Sequence, residues 1–335
     1  MFLGFEIFKV EHTLEKTKIM ETLKFRNNDP MHAIGLGTWK SEPGKVKQAV
    51  KHALEIGYRH IDCAAVYNNE KEVGEALAEV FKEGNIKREE VFITSKLWNN
   101  AHRQEDVKPA LQQTLKDLQL DYLDLYLMHW PVAFKSGLDG FPESDDDFLS
   151  LDEVPLSETW EAMVSLKNEG LLKHVGVSNF SQKKLKQLME HSELIPEMNQ
   201  IELHPYLHQS ELVEFCHANQ ILITAFSPLG SQDRTEAMKA DNEPTLLENE
   251  TIKSIANKHN VTPAQVLIRF HLERQVATIP KSTNEDRIKQ NFESYKLNLD
   301  GEDLQNLKDL DNHYRYVNGK FFETSDGKYS NIYDE

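Results

Sequence analysis

Cysteine, basic charge and long apolar runs are all scarce in this sequence of 335 residues. The two cysteines, Cys63 and Cys216, fit neither a disulfide framework nor a metal-binding motif, so a reducing compartment such as the cytoplasm is expected. Acidic residues outnumber basic ones by 55 to 38, which gives a net charge of −17. That charge argues against general affinity for nucleic acid or anionic membrane surfaces, and a phosphate-bearing ligand would need a local basic pocket.

Segments that direct a chain into or across a membrane are also missing from the sequence. No apolar run approaches the roughly 20 residues of a membrane span. The first ten residues are apolar, but they include Glu6 and Lys9 and have neither a basic start nor a small-residue cleavage site, so a secretion signal is not predicted. We interpret residues 1–20 as a short, poorly ordered extension of the folded domain.

Two motifs that bind nucleotides or metals are incomplete. Gly35-Leu-Gly37 begins a dinucleotide fingerprint, but Lys40 stands where the third glycine would be, and no G-x-G-x-x-G occurs elsewhere. His204 and His208 have the spacing of a metal pair on a helix, but Pro205 disfavours that helix. The sequence therefore predicts no metal site.

Strand and helix patterns alternate along most of the chain. A hairpin is predicted first, and Gly35 ends the first of eight apolar strand-like segments, which are separated by helical patterns. The length allows one large domain or two ordinary ones, and this alternation favours one α/β domain over residues 21–335. We predict a (β/α)8 TIM barrel with an N-terminal β-hairpin and long loops at its C-terminal face, with an open doubly wound sheet as the alternative.

Polar residues follow three of the predicted strands. Asp62, Lys96 and His129 each end an apolar strand, and Tyr67 lies five residues after Asp62. In a barrel all four would meet at one mouth, where Lys96 could lower the pKa of Tyr67 and Asp62 could hold Lys96 charged. His129 could donate a hydrogen bond to a carbonyl oxygen.

Each of these residues alone has a simpler explanation: a helix cap, a packed ring or a solvated charge. Their joint appearance at strand ends favours catalysis, and a proton donor for an oxygen that gains negative charge suits carbonyl reduction by hydride. No side chain donates hydride, so a nicotinamide cofactor is required. The segment 279–284 ends the last strand and opens a helix, which suits phosphate. Lys281 and Arg287 add positive charge there, which favours NADP over NAD.

Seven segments carry a further signal: Gly35-Leu-Gly-Thr-Trp39, Gly57-Tyr-Arg-His-Ile-Asp-Cys-Ala-Ala-Val-Tyr67, Thr94-Ser-Lys-Leu-Trp98, Asp124-Leu-Tyr-Leu-Met-His-Trp-Pro131, Gly176-Val-Ser-Asn-Phe180, Ala225-Phe-Ser-Pro-Leu-Gly230 and Ile279-Pro-Lys-Ser282. With these segments the chain resembles the aldo-keto reductases, and most closely their NADPH-dependent aldehyde and aldose reductases. The resemblance covers about residues 35–291, in family order. Two further stretches, Trp39–Gly44 and Asp233–Glu248, are similar to aldehyde reductase.

The resemblance implies roles for individual residues. Tyr67 would donate the proton, Lys96 and Asp62 would adjust the pKa of Tyr67, and His129 would orient the carbonyl. The cofactor NADP(H) would be held by residues at the strand ends and on the last loops: Gly37, Thr38, Trp39, Asp62, Ser178, Asn179, Gln200, Phe226, Ser227, Leu229, Ser231, Lys281, Ser282, Thr283, Arg287, Gln290 and Asn291. Phe226 would stack on the nicotinamide, although many relatives have Tyr there. Gln290 often corresponds to Glu.

The substrate side of the predicted site is aromatic. Trp39, Trp98 and Trp130, with Tyr67 and His129, would form a greasy slot for an aldehyde, although core packing would also explain the tryptophans. The tail 314–322 departs from aldehyde reductases, so open-chain sugars are a second substrate class. We therefore expect a monomeric NADPH-dependent aldehyde reductase. The alternatives are a xylose or aldose reductase and a non-catalytic barrel that binds NADPH.

Overall fold

A computed structural model of the chain describes residues 19–232, 234 and 239–335. The predicted extension 1–20 lies outside these residues except for its last two positions, as do residues 233 and 235–238. The predicted N-terminal hairpin is present: strand β1 (Thr22–Lys24) pairs antiparallel with β2 (Pro30–His32). Asn28 at its turn has a φ of 70°, a left-handed conformation that asparagine tolerates.

The described residues contain one parallel sheet of eight strands, ordered in space as they follow in the chain. Its strands are β3 (Leu36–Gly37), β4 (His60–Asp62), β5 (Phe92–Leu97), β6 (Leu123–Met128), β9 (Leu172–Ser178), β10 (Met198–Glu202), β11 (Leu222–Phe226) and β12 (Ala277–Thr278). The chain also joins the two outer strands, because Gly35 N donates to Thr278 O at 2.9 Å and Thr278 N to Ala33 O at 2.8 Å. This closure and the sequential order confirm the barrel, since a doubly wound sheet reverses its strand order.

Helices connect the strands and cover the outside of the barrel. In the described residues they are α1 (Val46–Ile56), α2 (Glu70–Glu83), α3 (Gln104–Leu118), α4 (Leu156–Asn168), α5 (Gln182–His191), α6 (Ser210–Ala218), α7 (Glu250–His259), α8 (Pro263–Glu273), α9 (Glu285–Glu293) and α10 (Gly301–Lys308). Gly57 and Gly84 end α1 and α2 in the left-handed conformation, as their sequence positions predict. None of the helices in the described ranges is both long and apolar enough to cross a membrane.

Side chains alternate between the two faces of the barrel wall. Ile93 and Leu97 of β5 belong to the apolar core between sheet and helices, which places Lys96 on the inner face. Leu125, Leu127 and other inner residues instead pack against Phe25 and Met31 of the hairpin. The hairpin therefore closes the N-terminal end of the barrel, and the opposite end is left for a ligand.

Two predicted boundaries differ from the structure. Lys96 is predicted to end its strand, but β5 continues one residue further, to Leu97, so Lys96 lies within the strand. The segment 131–155, one of the long loops predicted at the C-terminal face, contains a small antiparallel pair of β7 (Ala133–Phe134) and β8 (Phe148–Leu149). Both differences affect the site. The longer β5 fixes the position of Lys96, and the β7–β8 pair shapes the loop above it.

Candidate active site

The four predicted catalytic side chains meet at the C-terminal end of the barrel. Asp62 is the last residue of β4, and the next turn, Ala65–Tyr67, brings Tyr67 back over the barrel mouth. Lys96 approaches from the neighbouring strand β5, and His129 directly follows β6. Adjacent strands of one parallel sheet thus supply side chains that lie far apart in sequence.

The ammonium group of Lys96 is fully buried and uses all three of its donors. Its Nζ donates to Asp62 Oδ1 at 2.5 Å, to the backbone oxygen of Cys63 at 2.8 Å and to Tyr67 Oη at 3.3 Å. Asp62 receives a further hydrogen bond from Gln200 Nε2 at 2.7 Å. The pair is therefore held rigidly below the phenol, and every donor of the cation is satisfied.

The electrostatics of this group differ in part from expectation. Burial lowers the pKa of Lys96, but the charge of Asp62 and the neighbouring Tyr67 outweigh it and raise that pKa above its ordinary value. Burial raises the pKa of Tyr67 to about 12, although the Lys96 charge opposes the rise. Lys96 thus lowers the pKa of Tyr67 in the predicted direction, but its ammonium offsets only part of the burial effect, and at neutral pH the phenol keeps its proton.

His129 stands beside the phenol as a neutral imidazole. Burial, together with the charge of Lys96 and the nearby His102, lowers its pKa well below the ordinary value. The ring meets that of Tyr67 edge-on, with centroids 5.9 Å apart, and that of Trp98 at 5.3 Å. Its Nδ1 is buried without a hydrogen-bond partner among the described residues. A neutral ring has one N–H to offer, which suits a hydrogen bond to a carbonyl oxygen.

A cavity of about 890 Å³ opens above these residues. With the exception of Lys96, which lies behind Tyr67, it is lined by every residue that the sequence assigned to the site: Gly37, Thr38, Trp39, Asp62, Tyr67, Trp98, His129, Trp130, Ser178, Asn179, Gln200, Phe226, Ser227, Leu229, Ser231, Lys281, Ser282, Thr283, Arg287, Gln290 and Asn291. The structure thus brings the predicted residues together, and their ligands remain predictions.

One half of the cavity has the chemistry that a phosphorylated dinucleotide needs. Asn179 lines the cavity; its Nδ2 donates to His129 O at 3.0 Å, while its Oδ1 is buried without a partner among the described residues. That oxygen suits the amide N–H of a nicotinamide. At the far end Asn284 caps the N-terminus of α9, and its Oδ1 accepts from Arg287 N at 3.0 Å. Lys281 lies on the loop before this helix, so cationic side chains and a helix N-terminus converge where a phosphate would lie.

The other half is aromatic and was only partly predicted. The sequence identified the three tryptophans but missed Val66, Phe141, Val317 and Phe321, which also line the cavity. Phe141 is 50% exposed and packs edge-on against Trp98 with centroids 5.4 Å apart. It lies in one of the long loops predicted at the C-terminal face, and this was the one available signal. Trp98 lines the cavity and also packs against Phe134 with ring centroids 5.8 Å apart, so the packing contact is present and its contact with substrate stays a prediction.

The C-terminal tail is tied to the wall by a buried carboxylate. Glu202 accepts the backbone N–H groups of Tyr316 and Val317 at 2.7 and 2.8 Å, and its Oε1 lies 2.8 Å from His204 Nε2. This fixes Val317 at the cavity. His204 thus contacts the carboxylate that binds the tail. The described residues hold no cluster of His, Cys, Asp and Glu that is arranged to bind a metal ion.

Comparison with known proteins gives extensive matches. A sequence model of the Aldo/keto reductase family matches residues 33–312. An aldo/keto reductase of Synechocystis sp. is 47% identical over 318 residues, which covers 94% of this chain and 97% of the relative. Aldo-keto reductase family 1 member A1 of Mus musculus is 49% identical over 288 residues, 86% of this chain and 88% of the relative. Its Homo sapiens counterpart is 48% identical over the same length.

Proposed function

The chain belongs to the aldo/keto reductase family and is an oxidoreductase, and from that premise we propose that it reduces aldehydes to primary alcohols with NADPH. The observation that carries the proposal is the phenol of Tyr67, which faces the cavity with the buried Lys96 ammonium 3.3 Å behind its oxygen. A protonated phenol beside a fixed cation is a proton donor whose conjugate base is stabilised in advance.

The proposed reaction joins a hydride and a proton to the carbonyl group. NADPH, when bound, supplies the hydride to the carbonyl carbon. Tyr67 Oη donates its proton to the carbonyl oxygen, and Lys96 stabilises the phenolate that remains. Asp62 keeps Lys96 charged and in place, and neutral His129 donates a hydrogen bond to the same oxygen. The product is a primary alcohol, and the phenolate regains a proton from solvent.

NADPH rather than NADH is proposed because of the cationic end of the cavity. Arg287 lies in the first turn of α9, and its side chain lines the cavity together with Lys281. A guanidinium can bind a 2′-phosphate through two parallel hydrogen bonds, which NADH has no group to accept.

We expect Arg287→Ala to raise the Kd for NADPH by about 10- to 100-fold, the usual value of a charge-assisted hydrogen bond. The Kd for NADH should change less than about threefold, because only the phosphate contact is lost. Titration of protein fluorescence with each cofactor measures both values. Lys289→Ala, which removes an exposed cation of the same helix, is the matched control. Equal increases in the Kd values for NADPH and NADH would show that Arg287 does not bind the 2′-phosphate.

The aromatic half of the cavity favours apolar aldehydes over sugars. Trp98, Phe141 and Phe321 line it with rings, and rings gain by covering apolar surface but offer few hydrogen bonds to hydroxyl groups. A sugar would leave several hydroxyl groups desolvated there without partners, which costs free energy. A xylose or aldose reductase is therefore the second candidate within the same chemistry.

A panel of aldehydes tests the proposed function directly. With NADPH, an aryl aldehyde should have a kcat/KM about 30- to 150-fold above that of xylose or glucose, since burial of one ring contributes about 2–3 kcal/mol. Absorbance of NADPH follows each reaction. Comparable or better values for the sugars would favour the second candidate. No turnover of any aldehyde with NADPH or NADH would refute the reductase itself.

Assembly and location remain part of this proposal. We infer a cytoplasmic monomer that acts on small-molecule aldehydes. Its support is that Cys63 and Cys216 are free and buried, as expected of a chain in a reducing compartment. The strongly acidic composition supports the absence of a nucleic-acid or membrane partner.

A further inference from the structure

A buried carboxyl group that the proposed reaction does not use lies behind the catalytic side chains. Glu70 begins α2, three residues after Tyr67, and is 5% exposed. Ser95 Oγ donates to its Oε1 at 2.5 Å and Thr114 Oγ1 to its Oε2 at 3.1 Å. Ser95 directly precedes Lys96 in β5, and alternation along the strand turns the two side chains to opposite faces of the barrel wall.

These hydrogen bonds connect two parts of the site. The chain that carries Tyr67 enters α2 at Glu70, and Glu70 is bonded to the strand that carries Lys96. The separation of 3.3 Å between the phenol oxygen and the ammonium is therefore held from behind as well as from within the cavity. A carboxyl group at this point can therefore influence both the position of the Tyr67 phenol and the electrostatic environment of the Lys96 ammonium.

The charge of Glu70 is poorly compensated. Its carboxylate is bonded by two neutral hydroxyls, and the titratable groups that face it are Cys63 after β4, Lys96 on β5, Asp117 on α3 and Tyr126 on β6. Lys96 is the one cation of these four, and Asp117 adds negative charge. Burial outweighs the two hydrogen bonds and raises the pKa of Glu70 to about 7.

We propose that Glu70 is a positioning residue for the reduction, which holds the Tyr67 segment against β5 and slows proton donation by Tyr67 when it becomes charged. The inference rests on the reductase function proposed above. Its physical reason is electrostatic: a further negative charge behind Lys96 opposes the loss of a proton from the neighbouring phenol. Neutral Glu70 leaves the Lys96 charge free to stabilise the phenolate.

The dependence of kcat on pH, at saturating NADPH and aryl aldehyde between about pH 5.5 and 9, tests this inference. In the natural chain kcat should fall about two- to fivefold through neutral pH to a second plateau. Glu70→Gln, which stays neutral, should keep the low-pH value throughout. Ser95→Ala should move the step to higher pH, because the Ser95 hydrogen bond lowers the pKa of Glu70. Glu75→Gln, on the exposed side of α2, is the control and should behave like the natural chain.

Thermal unfolding gives a readout that does not depend on turnover. The folded-state pKa of Glu70 lies above the unfolded value of about 4.3, so the stability it contributes is complete at low pH and is lost as pH rises through about 7. The Tm of Glu70→Gln relative to the natural chain should therefore increase from pH 5.5 to 8. Its Kd for NADPH should stay within about twofold, because Glu70 does not line the cavity.

The possible outcomes separate this inference from the function on which it rests. A natural chain that reduces no aldehyde would overturn both, whatever the thermal data show. An active natural chain whose pH profile is unchanged by Glu70→Gln and by Ser95→Ala would overturn the inference alone. A merely structural Glu70 would lower stability in both variants without moving the step in kcat. If Glu70→Gln fails to fold, the shift in Ser95→Ala decides the question.

Discussion

Tyr67→Phe is expected to lower aldehyde turnover by about a thousandfold and to leave NADPH binding within about twofold of the natural chain. The substitution removes only the phenol hydroxyl group, which faces the cavity with Lys96 behind it. The ring remains, and with it the edge-on contact to His129 at 5.9 Å. Because the variant loses the proton donor but keeps the cavity, it separates the effect on turnover from the effect on NADPH binding.

Turnover and NADPH binding should both be measured on the same protein preparation. Loss of NADPH absorbance gives kcat, and quenching of protein fluorescence gives the Kd. Tyr122→Phe is the control, because this phenol lies before β6 at the closed end of the barrel and should leave both values unchanged. Turnover within tenfold of that of the natural chain would show that Tyr67 is not the proton donor. A natural chain that binds NADPH but reduces nothing would favour the non-catalytic alternative.

The barrel could be predicted from the sequence because its signals are local. Apolar strand segments and helical periodicity alternate, and glycines such as Gly57 and Gly84 mark helix ends. The end of β5 is predicted one residue too early, because a charged side chain ordinarily stops a buried strand. Lys96 does not stop it, since Asp62 on the neighbouring strand neutralises the ammonium 2.5 Å away. That partner is 34 residues distant in sequence, and no local pattern reveals it.

The apolar side chains missed in the cavity have the same explanation. Phe141 reaches the cavity because Trp98 Nε1 donates to the backbone oxygen of Gly140 at 3.0 Å and holds that loop in place. Val317 reaches it because Glu202 accepts the N–H groups of the tail. Both contacts join segments far apart in the chain, so composition could suggest a functional loop but not which of its side chains lines the site.

Charge balance was the least predictable property. The sequence places a cation near Tyr67, and the structure confirms that proximity. The net pKa of about 12 nevertheless depends on how completely the phenol is enclosed, which only the packed barrel determines. The same holds for Glu70, which reads in the sequence as one acidic residue in a helical first turn but is buried between β5 and α3.

Removing Lys96 should damage both stability and turnover, and the two effects are separable. In Lys96→Met the carboxylate of Asp62, 1% exposed, keeps only the hydrogen bond from Gln200. Breaking one side of a buried ion pair costs about 3–5 kcal/mol of unfolding free energy. Asp62→Asn leaves the ammonium without its counter-charge and should cost a similar amount. Turnover should fall about a thousandfold or more in Lys96→Met, because no cation stabilises the phenolate.

The double variant Asp62→Asn with Lys96→Met decides whether the pair exists for the fold or for the reaction. With no charge left to desolvate, it should regain most of the unfolding free energy lost in the single variants, while turnover stays about a thousandfold low. Denaturant unfolding and kcat measure the two quantities. The exposed pair Lys108–Glu169, 2.6 Å apart, is the control, and its removal should change the unfolding free energy by less than about 1 kcal/mol. Recovery of turnover together with stability would mean that the phenol needs no cation, whereas a stable but inactive double variant would show that the buried charges are retained for proton donation.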